Sequence, residues 1–179
     1  MIIKTVTEIA GLFILSNTIF SDERGSFKKV FTKNEFTDLN LEFSFKELYY
    51  SINRKNVIRG MHFQTPPHDH IKLVYVIHGA ITDVCLDIRR SSPTYGKYFS
   101  IELSGNDAEY LYIPRGIAHG FAARTDIAIV HYAQTSCYNK EHDCGIHYAT
   151  FGYNWNIAQP IVSERDKAFP CMQTYEGVF

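Results

Sequence analysis

From Lys72 to Gln134 the chain reads as a run of short β-rich segments with almost no helix between them. Lys72–Ile77 and Ile81–Ile88 flank His78-Gly79-Ala80, which predicts a hairpin. Ser91–Gly96 is a loop, Lys97–Leu103 a strand, Ser104–Ala108 a turn and Glu109–Ile113 a strand. Pro114-Arg115-Gly116 interrupts, Ala118–Ala122 resumes, and Ile127–Gln134 is a further strand. Upstream, residues 2–15 predict a strand, Asp22-Glu23-Arg24-Gly25 a turn and Ser26–Phe31 a short strand. Thr32–Leu39 predicts a brief helix, with Thr32 as N-cap and Glu35 three residues on. Phe43–Ile52 and Val57–Gln64 read as strands, and the tail from about Tyr153 as irregular. This spacing predicts an all-β, antiparallel sandwich or barrel.

Period-two alternation then assigns faces. Lys72 shares parity with Val74 and Val76, and Tyr132 with Val130 and Ala128. If those faces point inward, an ammonium and a phenol enter one interior, and a buried Lys is rarely left unpaired. The plainer alternatives are a strand-edge Lys72 in solvent and a core Tyr132 with a satisfied hydroxyl. Val57–Gln64, VIRGMHFQ, sets Arg59 and His62 on either side of a glycine. The guanidinium suits a phosphate or carboxylate, and the imidazole is a base near neutral pH. Strict alternation puts the two on opposite faces. Gly60 permits a bulge that turns both inward, a requirement the structure can test.

Composition narrows the class. A chain of 179 residues, 45% hydrophobic and 15% aromatic, predicts one folded domain spanning residues 1–179. A net charge of -1 without a basic run argues against nucleic acid as partner. The opening MIIKTVTEIAGLFILSN is too polar for a signal peptide, and no apolar run reaches the ~18 residues of a spanning helix, so the expected location is the cytoplasm, off the membrane. Cys85, Cys137, Cys144 and Cys171 form no CxxC pair and read as reduced thiols. His62, His68, His70 and His119 raise a metal reading. No glutamate follows His70 to complete such a set, so no metal is expected. His78, His131, His142 and His147 read as turn or surface residues.

Four stretches together resemble the nucleotide-sugar 3,5-epimerase family of the cupin superfamily. They are VIRGMHFQ, the run from Lys72 to Lys97, YIPRGIAHGF at 112–121 and YNKEHD at 138–143. The likeness runs from about Arg24 to Asp166. It implies a cupin-type jelly roll with short helical and irregular terminal segments. It also implies a homodimer in which strands near the N-terminus swap across, and no metal or redox cofactor. The implied activity is inversion of C3, C5 or both in a nucleotide-diphospho-4-keto-6-deoxy sugar, through an enolate, in synthesis of a surface polysaccharide. Such chemistry needs a base, an acid across the ring and a cation at O4. By resemblance His62 is the base, Asp166 its orienting carboxylate, Tyr132 the acid and Lys72 the enolate clamp. Arg24, Arg59 and Arg165 match positions near the diphosphate. His119 matches an active-site histidine with Asp83 as its expected partner, and Phe27 and Tyr138 match positions lining nucleotide or sugar.

The chain departs from the dTDP-using pattern at Lys29, Glu47 and Tyr49, where that pattern has Glu, Gln and Asn. The departure raises the expectation that the nucleotide is not dTDP, since a carboxylate at Glu47 can accept from guanine or cytosine. The alternative is that Lys29 and Glu47 have exchanged charges and pair. Two readings compete with the epimerase. One is a metal-dependent cupin enzyme using His62, His68, His70 or His119. The other is a non-catalytic sugar-binding module.

Overall fold

The computed structural model describes residues 1–179. Thirteen strands and two short helices follow one another as β1 (Ile3–Val6), β2 (Phe13–Ser16), β3 (Ile19–Asp22), β4 (Gly25–Lys28), α1 (Lys33–Asp38), β5 (Glu47–Arg54), β6 (Ile58–Gln64), β7 (Lys72–His78), β8 (Ala80–Asp87), β9 (Tyr98–Ser104), β10 (Glu109–Ile113), β11 (Ile117–Ala123), β12 (Ile127–Gln134), β13 (Asp143–Gly145) and α2 (Glu164–Lys167). They form two antiparallel sheets packed face to face as a jelly roll, of order β1-β2-β10-β7-β12-β5 and β13-β6-β11-β8-β9, with β3 and β4 apart as a hairpin. No helix is long and apolar enough to cross a membrane.

Three layers of core explain why so many strands lack alternation. The inner layer, between the sheets, holds Val74, Val76, Ile81, Leu111, Phe121, Val130 and Tyr132. A second lies outside the five-stranded sheet, where Met61, Val84, Leu86 and Ala118 meet Trp155 and the aromatic tail. A third lies outside the six-stranded sheet, where α1 seats Phe36 against Leu73, Tyr110 and Tyr112. Strand β11 is therefore buried along its whole length. Strands covered on both faces lose the apolar-polar rhythm of a half-exposed sheet.

Several expectations change. Lys72–Ile77 and Ile81–Ile88 do not form a hairpin: β7 pairs with β10 and β12, and β8 with β9 and β11. Gly79, at φ +73, turns the chain from one sheet into the other, and a Cβ there would clash with Ile127 O. Residues 2–15 form two strands, paired to each other around a turn at Gly11. β3 was not foreseen, and it pairs with β4 around the expected turn. The strand expected over Phe43–Ile52 begins at Glu47, because Phe43 and Phe45 turn aside to pack on Phe31 and Phe36. Thr32 is the N-cap of α1, but its hydroxyl donates to the Glu35 carboxylate at 2.7 Å instead of capping the backbone. Glu35 in turn accepts the Ile2 N–H, tying down the N-terminal segment. The irregular tail contains α2.

The bulge required of VIRGMHFQ is present. His119 pairs with His62 and Phe121 with Arg59, so three steps along β6 match two along β11. The extra residue brings Arg59 and His62 onto the same cavity. Gly60 has φ +135, and a Cβ there would lie 2.5 Å from Gly120 Cα and 2.9 Å from His119 O. Only a glycine fits a strand so close to its neighbour. Gly60→Ala is expected to lose about 2–4 kcal/mol of stability by urea denaturation, from backbone strain plus the clash. A loss under about 0.5 kcal/mol, the scale of a neutral surface change, refutes this account.

Candidate active site

Between the two sheets lies a cavity of about 370 Å³. Its wall is built from Glu47, Tyr49 and Ser51 of β5, Arg59, His62 and Gln64 of β6, His70 and Lys72 at the start of β7, His119 of β11, Tyr132 and Gln134 of β12, Tyr138 of the following loop, Asp143 of β13 and Arg165 of α2. The parity argument for Lys72 and Tyr132 is met, since both are buried and both face inward.

His62 is held by the tail. Its Nε2 lies 2.9 Å from Oδ1 of Asp166, a buried residue. The second oxygen, Oδ2, accepts the Gly60 N–H at 3.1 Å. Asp166 reaches that point because Ser163 caps α2 and accepts the Asp166 N–H at 3.1 Å. Burial alone would raise the carboxyl pKa. The His62 ring, the Gly60 N–H and Ser163 outweigh it and hold Asp166 below the ordinary carboxylate range. An ionised carboxylate only accepts, so the proton between the pair sits on Nε2 and the Nδ1 lone pair is left to act. Phe169 packs edge-on to the ring at 5.7 Å.

His119 repeats the motif deeper in the fold. Its Nε2 lies 2.8 Å from Oδ2 of Asp83, the partner expected for it, and both residues are buried. Burial lowers the His119 pKa despite the opposing charge of Asp83, so the ring is neutral at physiological pH. Lys72 has no carboxylate and no hydrogen-bond acceptor within the chain, although the residue is only 7% exposed. Burial pushes its pKa down to about 8 against the pull of Asp83 and Asp143. An unpaired buried ammonium is costly, and its presence in a cavity marks a place for an anion.

Tyr132 stands on the opposite sheet from His62. Its hydroxyl lies 3.1 Å from Ser51 Oγ, and Tyr49 stacks on its ring at 4.7 Å. Ser51 Oγ accepts from Asn53 Nδ2, and Asn53 Oδ1 accepts from Arg59 Nε at 2.6 Å. Burial raises the Tyr132 pKa far above that of a free phenol, so the group keeps its proton. Arg165 pairs with Asp143 and lies over Phe169.

The remaining expected residues divide in two. Glu47, Tyr49 and Tyr138 line the cavity. Glu47 Oε2 accepts from Gln134 Nε2 at 2.8 Å and from the Tyr138 N–H at 2.7 Å, and Tyr49 donates to Gln134 Oε1 at 3.1 Å. Glu47 thus takes its partners from β12 and the following loop, not from Lys29. Arg24, Phe27 and Lys29 do not reach the cavity of their own chain. They are exposed on or beside the β3–β4 hairpin, where Arg24 pairs with Asp22. Gln64, Ser51, Gln134 and Asp143 are wall residues that sequence reasoning missed, and His70 entered it only as a metal-ligand candidate. For His70 the signal existed, since it shares parity with Lys72. His68 hydrogen-bonds Asn139, and no three His, Cys, Asp or Glu side chains converge as a metal-ligand group.

Comparison with known proteins agrees with this geometry. The family model for dTDP-4-dehydrorhamnose 3,5-epimerase matches residues 6–174. An Escherichia coli K12 protein of that name is 42% identical over 141 residues, covering 78% of this chain and 76% of its own. One from Methanothermobacter thermautotrophicus is 37% identical over 166 residues, covering 90% and 89%. The crystal structure of a dTDP-6-deoxy-D-glucose-3,5-epimerase from Legionella pneumophila, in complex with dTDP-4-keto-L-rhamnose, superposes with a TM-score of 0.92 at 32% identity, covering 97% and 94%. With a jelly roll, a cavity walled by both sheets and a match over nearly its whole length, this chain belongs to the dTDP-4-dehydrorhamnose 3,5-epimerase family.

Proposed function

We propose that this chain epimerises a nucleoside-diphospho-4-keto-6-deoxy sugar at C3 and C5, in the cytoplasm and toward a surface polysaccharide. The C–H bonds at C3 and C5 both flank the carbonyl at C4. His62 Nδ1 takes one of these protons, and the bonding pair becomes an enolate with its charge on O4. The Lys72 ammonium meets that charge. Tyr132 delivers a proton to the opposite face of the same carbon, and the electron pair returns from O4. His62 then releases its proton to water and Tyr132 regains one, with Ser51 at its hydroxyl. A second round inverts the second carbon. Arg59, Arg165 and His119 hold the diphosphate and sugar.

The observation that carries this reading is Lys72, a buried ammonium without a partner, in a cavity that also receives His62 and Tyr132 from opposite sheets. Base and acid placed across a sheet sandwich suit the two faces of one ring, and a cation on the cavity wall suits a developing oxyanion. We take the nucleotide to be dTDP, for which the matching family is named. The argument against it, from Glu47, weakens because one oxygen of that carboxylate is already occupied by Gln134 and Tyr138.

Incubation with dTDP-4-keto-6-deoxy-D-glucose in D2O is expected to place deuterium at C3 and C5, and His62→Ala to slow exchange by ~10²–10⁴-fold. Full-rate exchange in that variant would remove His62 from the base role. Faster turnover of the GDP or CDP counterpart would overturn the assignment of the nucleotide.

The pH profile tests Lys72 separately. The ammonium is the active form, present below its pKa and lost above it, so kcat/KM is expected to fall as pH rises through about 8. Tyr132 does not supply this limb, because its pKa is raised. Lys72→Met is expected to lower kcat by ~10²–10³-fold and to abolish the limb. A variant that keeps the limb refutes the assignment.

The resemblance also supports a homodimer. The outer face of β5, at the edge of its sheet, exposes Leu48, Tyr50 and Ile52 at 65%, 64% and 59%, and the β3–β4 hairpin exposes Phe20 and Phe27. In this reading β5 faces a second copy, whose hairpin brings Arg24, Phe27 and Lys29 to the cavity. A Leu48→Asp, Ile52→Asp chain is expected to run as a monomer in light scattering and to lose at least ~10-fold in kcat/KM, as for a broken interface core. Wild-type protein that is monomeric at assay concentration would refute the dimer.

A further inference from the structure

His70 is a cavity residue that the mechanism above does not use. It lies two residues before Lys72, and both side chains enter the same cavity. Its state is set by a chain of hydrogen bonds. Ser136 Oγ donates its single proton to the His68 carbonyl at 2.7 Å. Toward His70 Nδ1, 3.1 Å away, Ser136 Oγ is therefore the acceptor, and the imidazole proton sits on Nδ1. The Gln64 amide nitrogen has two protons to share among the His68 carbonyl at 2.8 Å, Ser136 Oγ at 3.1 Å and the Cys137 carbonyl at 3.2 Å, and these nearer acceptors take them in preference to His70 Nδ1 at 3.4 Å. Nε2 then carries a lone pair and has no partner in the chain. Burial, with the charge of Lys72 adding to it, pushes the His70 pKa down to about 3, so the ring remains a neutral acceptor at working pH.

A fixed acceptor beside the oxyanion clamp selects its own ligand. In a 4-keto-6-deoxy sugar the carbon on one side of the carbonyl, C5, carries a methyl and the ring oxygen. The carbon on the other side, C3, carries a hydroxyl. That hydroxyl is the sole donor next to O4. We propose that His70 is a specificity-determining residue whose Nε2 accepts a hydrogen bond from the C3 hydroxyl. The contact sets the orientation in which O4 meets Lys72 and distinguishes 3-hydroxy from 3-deoxy substrates. It rests on the epimerase reading of the cavity.

The experiment compares dTDP-4-keto-6-deoxy-D-glucose with its 3-deoxy counterpart. Exchange at C5 in D2O is the readout, because both substrates retain that proton. Wild-type protein is expected to favour the 3-hydroxy substrate by about 10–100-fold in kcat/KM, as for an acceptor left unpaired by the analogue. His70→Leu is expected to bring the ratio to about 3-fold or less, mainly by slowing the 3-hydroxy substrate. His70→Gln, whose amide oxygen accepts, is expected to restore part of it. Ser136→Ala, which leaves the ring but removes the group that fixes its tautomer, should give an intermediate ratio. A loss of packing alone slows both substrates together and leaves the ratio where it was. A wild-type ratio near one, or a ratio unchanged in His70→Leu, overturns the proposal while the epimerase stands. Absence of exchange from either substrate with wild-type protein overturns both.

Discussion

One carboxylate joins the strand that carries His62 to the tail that closes the fold. Asp166 accepts from the Gly60 N–H at the bulge of β6 and from the His62 ring two residues further on. Its own position is set by the Ser163 cap of α2. The backbone distortion that turns His62 inward and the bond that orients its ring thus share an acceptor. Removing it would leave a buried N–H unpaired at the bulge and free the imidazole to change tautomer, two losses of different kind from one substitution. The close approach of Gly60 to Gly120 is the other half of this constraint, since β6 and β11 pair through His62 and His119 where the bulge begins.

Around this anchor the cavity keeps its groups in distinct charge states by different means. His119 is neutral because burial outweighs the attraction of Asp83. His70 is neutral because it is buried close to Lys72. Tyr132 keeps its proton because a phenolate would be desolvated. Lys72 therefore stands beside these neutral groups as a cation of the inner wall, attracted by Asp83 and Asp143 but paired with neither. The same burial that makes Lys72 costly in the fold would, in the proposed reaction, strengthen it against an oxyanion.

Much of this was legible in the sequence, and the gaps have physical causes. Parity within single strands placed Lys72 and Tyr132 inward, because β7 and β12 have opposite faces of different character. The bulge at Gly60 followed from asking how Arg59 and His62 could share a face. Pairing between strands was less legible. The turn at Gly79 resembles a hairpin locally, yet the strands on either side seek partners from distant parts of the chain, and those partners put them in different sheets. In the family-like run from Lys72 to Lys97, the stretch from Asp83 onward is mostly scaffold. Asp87 gathers Arg89, Ser92 and Thr94, and these bonds outweigh burial and hold its pKa at about 2. Only Asp83 in that stretch serves the cavity, through His119. The polar run His68-Asp69-His70 suggests metal ligands or a loop, whereas the chain is already entering β7 at His70 and turns its ring to the cavity.

The distribution of covered and uncovered apolar surface bears on how the site is completed. The outer face of the five-stranded sheet is sheathed by the aromatic tail, and that of the six-stranded sheet is covered by α1 as far as β7. At the edge, β5 turns Glu47, Tyr49 and Ser51 to the cavity and Leu48, Tyr50 and Ile52 to the outside. A strand with a cavity-lining inner face and an apolar outer face couples whatever covers it to the position of the Tyr132 partner, Ser51. Phe20 and Phe27 lie on a hairpin that neither main sheet extends to cover. Two apolar surfaces left bare in one chain, one of them backing the cavity wall and the other bearing arginine and phenylalanine that its own cavity does not receive, satisfy each other if two copies exchange them.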